Sequence, residues 1–202
     1  MGQLAERVGV RTPSLYSHIV NQDDLNRRIA ALAFVEAAEA IRAGTQGHAG
    51  RDALGAAARA FRTFVLTHPG RYAATIGVDP VGPDDLIAVA GARLVDSLTA
   101  VLESYGVGPD DMDHALRALR SFFHGFATLQ AAHGFQWPTD IDESYEWLIA
   151  LVDRGLRSPG PAGPSSGRAP GGRSPSSGPV SARGAAAGDP PSPPLRHTST
   201  SG

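Results

Sequence analysis

A short polar run near the start of the chain has the side chains needed to bind nucleic acid. It offers a guanidinium, hydroxyls, a phenol and an imidazole, on Arg11, Thr12, Ser14, Tyr16, Ser17 and His18, with Pro13 among them. Such groups form hydrogen bonds with phosphate oxygens and with the edges of bases. The run therefore has the composition of a helix that enters the major groove of DNA.

Two short helices joined by a tight turn are expected to position these side chains. Gly9 provides a turn that a side chain would obstruct. Thr12 is expected to cap the second helix and Pro13 to be its first residue. The small core beneath the turn is expected to contain Leu4, Ala5, Val8, Val10 and Leu15.

A second set of residues could form an internal pocket for a small molecule. The set is aromatic apart from one histidine and consists of Phe61, Phe64, Tyr72, Phe123, His124 and Phe126. An apolar cavity with a few polar groups is the usual form of such a site, and His124 is the favoured polar contact. Arg71 and Gln130 are weaker candidates. The alternative is that these aromatic side chains are ordinary core.

Metal, cofactor and catalytic chemistry find little support. His114, His124 and His133 are too far apart in sequence for two of them to lie on adjacent turns as a pair of helical ligands. The carboxylates cluster at predicted helix starts, where the helix dipole favours them. Glycine-rich sequence occurs only in the tail, which follows no strand, so no phosphate-binding loop is predicted. We expect no metal, no cofactor and no enzyme, and a helical-bundle enzyme is only a distant alternative.

The composition suits a soluble, cytoplasmic protein of one or two domains. The chain has 202 residues, a formal net charge of −2 and no cysteine, so any contact with nucleic acid must be local. No apolar run approaches the roughly 20 residues that span a membrane. The first residues do not resemble a signal peptide.

Helical spacing dominates residues 1–157 and predicts an all-α fold. The expected later helices are about 22–43, 51–67, 70–76, 84–105, 109–132 and 139–156. Asn21 is a plausible cap for the first of these, whose stripe contains Leu25, Ile29 and Leu32. Residues 158–202 are rich in Pro, Gly and Ser and are expected to be disordered, with no assigned role.

The polar run and its two helices closely resemble the head of the TetR family of bacterial regulators. The matching pattern is Leu-Ala-Glu-Arg-Val-Gly-Val at 4–10, then Ser-Leu-Tyr at 14–16 and a histidine at 18. The resemblance implies that Tyr16 and His18 contact phosphates. It also implies that Arg11, Thr12, Ser14 and Ser17 approach bases or backbone. Periodicity alone would fit any small helical hairpin.

The resemblance continues to about residue 156. His68-Pro69-Gly70-Arg71-Tyr72 and Phe123-His124-Gly125-Phe126 look like a C-terminal subfamily named for a Trp-His-Gly signature, with Phe123 in place of the tryptophan. It implies a partial helix-turn-helix head with its connecting helix at 1–45, and a helical ligand-binding and dimerisation domain at 46–157. It also implies a homodimer that binds a pseudo-palindromic DNA operator and a small-molecule effector, most often as a repressor.

Two apolar stripes would supply the dimer seam that this family builds from its last two long helices. The stripes are Leu116, Leu119, Phe122, Phe126 and Leu129, then Ile141, Tyr145, Leu148 and Val152. Spacing does not decide which positions serve the monomer core and which the seam.

The family has a further helix before the segment that begins at Met1. We expect a misassigned start or a truncated gene, a loose head and weak DNA binding. The alternative function is a ligand-binding helical dimer that has lost DNA binding.

Overall fold

The computed structural model describes residues 1–158, which form eight helices and no strand. The helices are α1 (Gly2–Val8), α2 (Thr12–Tyr16), α3 (Gln22–Thr45), α4 (Gly50–Thr67), α5 (Pro69–Ala73), α6 (Leu86–Glu103), α7 (Pro109–Ala131) and α8 (Ile141–Arg157). The predicted all-α fold is confirmed. None of these helices combines the length and apolarity needed to cross a membrane. The predicted disordered tail lies, from residue 159 onward, outside the described residues.

Local chemistry sets the ends of the long helices. The Asn21 side chain accepts a hydrogen bond from the Asp24 amide at 2.9 Å, which confirms Asn21 as the cap of α3. Helix α4 ends before Pro69, which cannot continue it, and Pro109 stands in the first turn of α7. These ends lie within two residues of the predicted ones.

Two helices begin about two residues later than predicted because aspartates cap them. The Asp85 carboxylate accepts a hydrogen bond from the Ile87 amide at 2.7 Å and thereby starts α6. Asp140 accepts hydrogen bonds from the amides of Asp142 and Glu143 and starts α8. An aspartate side chain satisfies amides that the first turn leaves without a partner.

Helix α3 packs against α4 and α6, and α4 also packs against α7 and α8. The contact between α3 and α4 is lined largely by small side chains, namely Ala33, Ala37, Ile41, Ala53, Leu54 and Ala57. Small residues let the helix axes come close, and a Cβ on Gly44 would lie only 3.3 Å from that of Ala60. Leu32, placed on the predicted apolar stripe, is instead 50% exposed, because alanines occupy the face of α3 that meets the core.

Buried polar groups tie α8 to the rest of the body. The Tyr145 hydroxyl donates to the Ala58 carbonyl oxygen at 2.7 Å, and Tyr145 is completely buried. The Tyr105 hydroxyl donates to the Asp153 carboxylate at 2.6 Å, which Arg157 also contacts. Within residues 1–158, every buried side-chain nitrogen or oxygen has a partner. The position of α8 is therefore fixed by directional bonds as well as by apolar contact.

The head consists of α1, the turn at Gly9 and α2. Gly9 has a φ of 74° and ends α1, in agreement with the predicted turn. Two details of the prediction were wrong: Arg11, not Thr12, precedes α2, and Val10 is 41% exposed. Val8 is 59% exposed as well. The reason is that α1 and α2 pack on each other, and no described element covers the side that carries the two valines.

Candidate DNA-contacting helix and ligand cavity

The predicted nucleic-acid contacts lie on α2 and on the residues just before and after it. Six of the seven are exposed, namely Arg11, Pro13, Ser14, Tyr16, Ser17 and His18, and Thr12 is half-buried. The Ser17 hydroxyl donates to the Ser14 carbonyl oxygen at 2.7 Å, which leaves its own lone pairs free to accept. This segment therefore exposes one guanidinium, one phenol and one imidazole to solvent.

Hydrogen bonds at the start of α3 stabilise the turn that joins it to α2. Asp24 accepts a hydrogen bond from the Val20 amide at 3.0 Å, while Ile19 is buried. The Arg28 guanidinium donates to Asp24 at 3.0 Å and, together with the Val20 amide, holds the pKa of that carboxyl below its usual range. Asp24 therefore stays ionised near neutral pH and keeps the turn in place. The first turn of α3 is therefore bonded to the turn that follows α2.

Within residues 1–158, the arginines of the head that carry no paired acid lie on α1 and just before α2, whereas those at the start of α3 are paired. Arg28 pairs with Asp24 and Arg27 with Asp85. Among the residues described, Arg7 and Arg11 have no carboxylate partner. These two arginines are therefore the ones available to phosphates in each head.

A cavity of about 520 Å³ lies in the helical body. Phe34 of α3, Phe61 of α4 and Tyr72 of α5 form part of its wall, and the loop between α5 and α6, with α6 and α7, supplies the rest. The walls are mostly apolar, and the volume lies within the range of roughly 300–1,000 Å³ found for small-molecule sites.

Three of the predicted ligand contacts, Phe61, Tyr72 and Phe123, line this cavity. Phe64 and His124 lie behind Tyr72 instead. The Tyr72 hydroxyl and the His124 Nδ1 are 2.6 Å apart, and the Phe64 ring packs edge-on to the Tyr72 ring. The structure therefore makes His124 a neighbour that orients the phenol of the wall.

Burial sets the ionisation of this pair. It raises the pKa of Tyr72 to about 12. It lowers the pKa of His124, and the positive charge of Arg120 lowers it further. Both groups are neutral near pH 7, so the pair contributes hydrogen bonding to the wall and no net charge.

Phe126 is not near the cavity. Its ring packs 4.8 Å from those of Phe135 and Tyr145, close to the Arg62 guanidinium. The weaker candidates are also engaged elsewhere: Arg71 pairs with Glu36 and Gln130 accepts from Arg62.

Sequence reasoning missed the contribution of α6 and of the charged side of α7. Ile87, Leu94 and Leu98 of α6 face the cavity. Arg117 and Arg120 of α7 lie on its wall. A signal was present, because positions 113, 116, 117, 120 and 123 follow helical spacing. Residues 1–158 contain no cluster of side chains suited to a metal ion.

Two comparisons with known proteins identify the family. Residues 54–152 match the family model described as "Tetracyclin repressor-like, C-terminal domain". The uncharacterized HTH-type transcriptional regulator Rv0681 of Mycobacterium tuberculosis is 33% identical over 154 residues, which are 76% of this chain and 70% of that protein. The chain belongs to the TetR family of transcriptional regulators. Members of this family are regulators rather than enzymes.

Solved structures of similar fold include other TetR proteins. A possible TetR family regulator from Streptomyces coelicolor A3(2) has a TM-score of 0.60 and 22% identity, over 77% of this chain and 87% of that one. A TetR variant from Acinetobacter baumannii, solved in complex with minocycline, has a TM-score of 0.56 and 26% identity, over 78% of this chain and 86% of that one. The first likeness concerns the fold alone.

In this TetR-family chain, one arginine connects the helix that carries the head to the cavity wall. The Arg27 guanidinium donates to the Asp79 carbonyl oxygen at 3.0 Å and to the Asp85 carboxylate at 2.5 Å. Asp79 lies on the loop between α5 and α6 and lines the cavity. The Ile87 and Val81 amides and Arg27 hold the pKa of Asp85 below its usual range. The connection is therefore an ion pair near neutral pH.

Proposed function

We propose that this regulator is a dimeric repressor that binds a pseudo-palindromic DNA operator and leaves it when a small molecule fills the cavity. The observation that carries the proposal is the double role of α3. Its first turn is hydrogen-bonded to the turn that follows α2, and farther along it contributes Phe34 to the cavity wall. Such a protein acts on bacterial DNA, so we place it in the cytoplasm.

In the proposed complex, α2 lies in the major groove. Tyr16 and His18 bind phosphates, and Arg11, with the hydroxyls of Thr12, Ser14 and Ser17, reaches base edges or backbone. The exposure of most of these groups supports this assignment. Two such helices in a dimer would meet successive major grooves about 34–36 Å apart.

The proposed dimer seam uses the outer faces of α7 and α8. Four large apolar side chains remain open there in a single chain: Phe122 (43% exposed), Leu129 (50%), Trp147 (63%) and Leu151 (38%). Exposed apolar patches of this kind favour association with a complementary surface. A two-fold axis would bring the helix pairs together as a four-helix bundle, with 46–157 as the dimerisation and ligand-binding domain.

Release would follow from linkage between the two sites. A ligand that prefers one position of α3 lowers the affinity for DNA if DNA prefers another, and DNA lowers the affinity for the ligand by the same factor. The contact of Arg27 with the loop that lines the cavity supports this route.

Fluorescence anisotropy with labelled duplexes from the DNA upstream of the gene tests the proposal. Unlabelled random duplex serves as the competitor, and the variant Arg11→Ala is compared with Arg93→Ala, which removes an exposed arginine on α6. We expect saturable specific binding that Arg11→Ala weakens by roughly tenfold or more, since a base contact contributes about 1–3 kcal/mol. Arg93→Ala should bind as the unaltered protein does.

Binding that never exceeds the random-duplex background would contradict the DNA-binding part of the proposal. The alternative, a ligand-binding dimer without DNA binding, would then be the better account.

A further inference from the structure

The wall that α7 gives to the cavity combines apolar and cationic side chains. Leu116 and Phe123 lie on the same stripe as Arg117 and Arg120, at spacings of three and four residues. Side chains at such spacings share one side of a helix. A molecule in the cavity would therefore meet an apolar surface and a guanidinium together.

Arg120 is the arginine whose charge is not offset. It has no ion-pair partner among residues 1–158, whereas Arg117 faces Asp113 at 3.5 Å. The other acid of the lining, Asp79, lies on the loop between α5 and α6 and forms no ion pair with Arg120, and Arg27, which donates to its backbone carbonyl oxygen at 3.0 Å, is paired with Asp85. Asp113 thus offsets Arg117, and Arg120 is the lining arginine that has no ion-pair partner among the described residues.

The polar groups near Arg120 do not neutralise it. Arg120 stands four residues before His124 on α7 and lines the cavity together with Tyr72, whose hydroxyl is 2.6 Å from the His124 Nδ1. Burial raises the pKa of Tyr72 and lowers that of His124, so both are uncharged near pH 7. The cationic corner keeps its charge, with a hydrogen-bonding pair beside it.

We infer that the effector is an apolar small molecule with a terminal anionic group. The anion is held by Arg120, and the apolar body lies against Phe61, Leu94 and Phe123. A guanidinium binds carboxylates and phosphates through paired hydrogen bonds, which are stronger than neutral ones. The apolar walls exclude a small inorganic anion as the natural occupant. This inference rests on the proposed use of the cavity as the effector site.

Isothermal titration calorimetry of the full chain without DNA tests the inference with probes that share one apolar body. The probes are decanoate, decyl phosphate, decanol and decylammonium. We expect an anionic probe to bind at least about tenfold more tightly than decanol, which corresponds to about 1.4 kcal/mol, and decylammonium to bind weakest. Tight binding by decyl phosphate alone would identify the anion as a phosphate, and tight binding by decanoate would identify it as a carboxylate.

Two charge-neutralising variants locate the anion. Arg120→Gln should weaken the anionic probe by roughly tenfold and leave decanol unchanged, since only the anion loses its partner. Arg93→Gln, on α6 outside the cavity lining, should change neither. Three results would each overturn the inference. The unaltered chain could bind decanol as tightly as the anionic probes or more tightly, or Arg120→Gln could lower the affinity for decanol and for the anionic probe equally. The third result is that no probe gives any heat of binding.

The readouts separate this inference from the proposed function. Binding of an anionic probe that fails to release DNA would contradict the proposed release and leave the ligand class intact. Release of DNA by decanol or decylammonium but not by the anionic probes would support the proposed release and contradict the ligand class.

Discussion

Replacement of Leu129 by glutamate is expected to separate the two subunits of the proposed dimer. Leu129 is 50% exposed on α7, and Trp147, on the neighbouring helix α8, is 63% exposed. In the proposed seam both become covered by the partner. Leu129→Glu puts a carboxylate on this surface, and the symmetry of the dimer puts it there twice.

The size of the effect follows from the area that the seam would cover. Full burial of a leucine side chain contributes about 1.5–3 kcal/mol. Half of Leu129 is already covered within the chain, so dimerisation adds about half of that value for each subunit. The loss for two subunits is therefore about 1.5–3 kcal/mol, a roughly 10- to 150-fold rise in the dimer dissociation constant. Desolvation of the introduced carboxylates can only increase it.

Sedimentation equilibrium over a range of concentrations measures this constant directly. Leu32→Glu is the matched control, because Leu32 is also 50% exposed but lies on α3. Far-ultraviolet circular dichroism establishes that both variants keep their helices. A dissociation constant for Leu129→Glu within about threefold of the unaltered protein would refute the assignment of the seam, as would an equal effect of Leu32→Glu.

Three further predictions concern stability. Tyr145→Phe, which loses the bond to Ala58, should lower the free energy of unfolding by about 1 kcal/mol in urea titrations, whereas the exposed Tyr16→Phe should have almost no effect. Burial raises the pKa of Tyr72 from 10.0 to about 12, so the unfolded chain loses its proton first and stability should fall as pH rises through that window. Tyr72→Phe should reduce the dependence of the free energy of unfolding on pH between about 10 and 12. An unchanged dependence would show that the burial of Tyr72 does not cause it. Gly9→Ala, at a φ of 74°, should cost about 1 kcal/mol and speed hydrogen exchange in α1 relative to α4.

The helix ends were predictable because they depend on a few neighbouring residues. Asn21 caps α3 through an amide three positions away, and Pro109 starts α7 whatever packs on it. The choice of buried face was less predictable. Ala33 and Ala37 lie in the core, whereas Leu32 beside them is half exposed. The side of α3 that carries small side chains is the buried one, because it lets the neighbouring helices come closest. Periodicity finds stripes, and tertiary packing decides which stripe is buried.

The head shows the same limit on a smaller scale. Gly9 was recognisable as a turn because a left-handed conformation favours glycine. The exposure of Val10 was not predictable, since it depends on what covers the turn rather than on the turn itself. The polar surface of α2 was easier to predict, because exposure on one side of a short helix needs no partner.

The cavity depends on distances that no local pattern contains. Phe123 and Phe126 are three positions apart, yet one lines the cavity and the other packs beside α8, because the cavity ends between them. Arg27 lies 52 residues before Asp79, and only the fold brings its guanidinium to the loop that lines the cavity. In the proposed mechanism this contact has a direct consequence. A ligand that displaces the loop would break the hydrogen bond of Arg27 to Asp79 or pull on α3, whose first turn is bonded to the turn that follows α2.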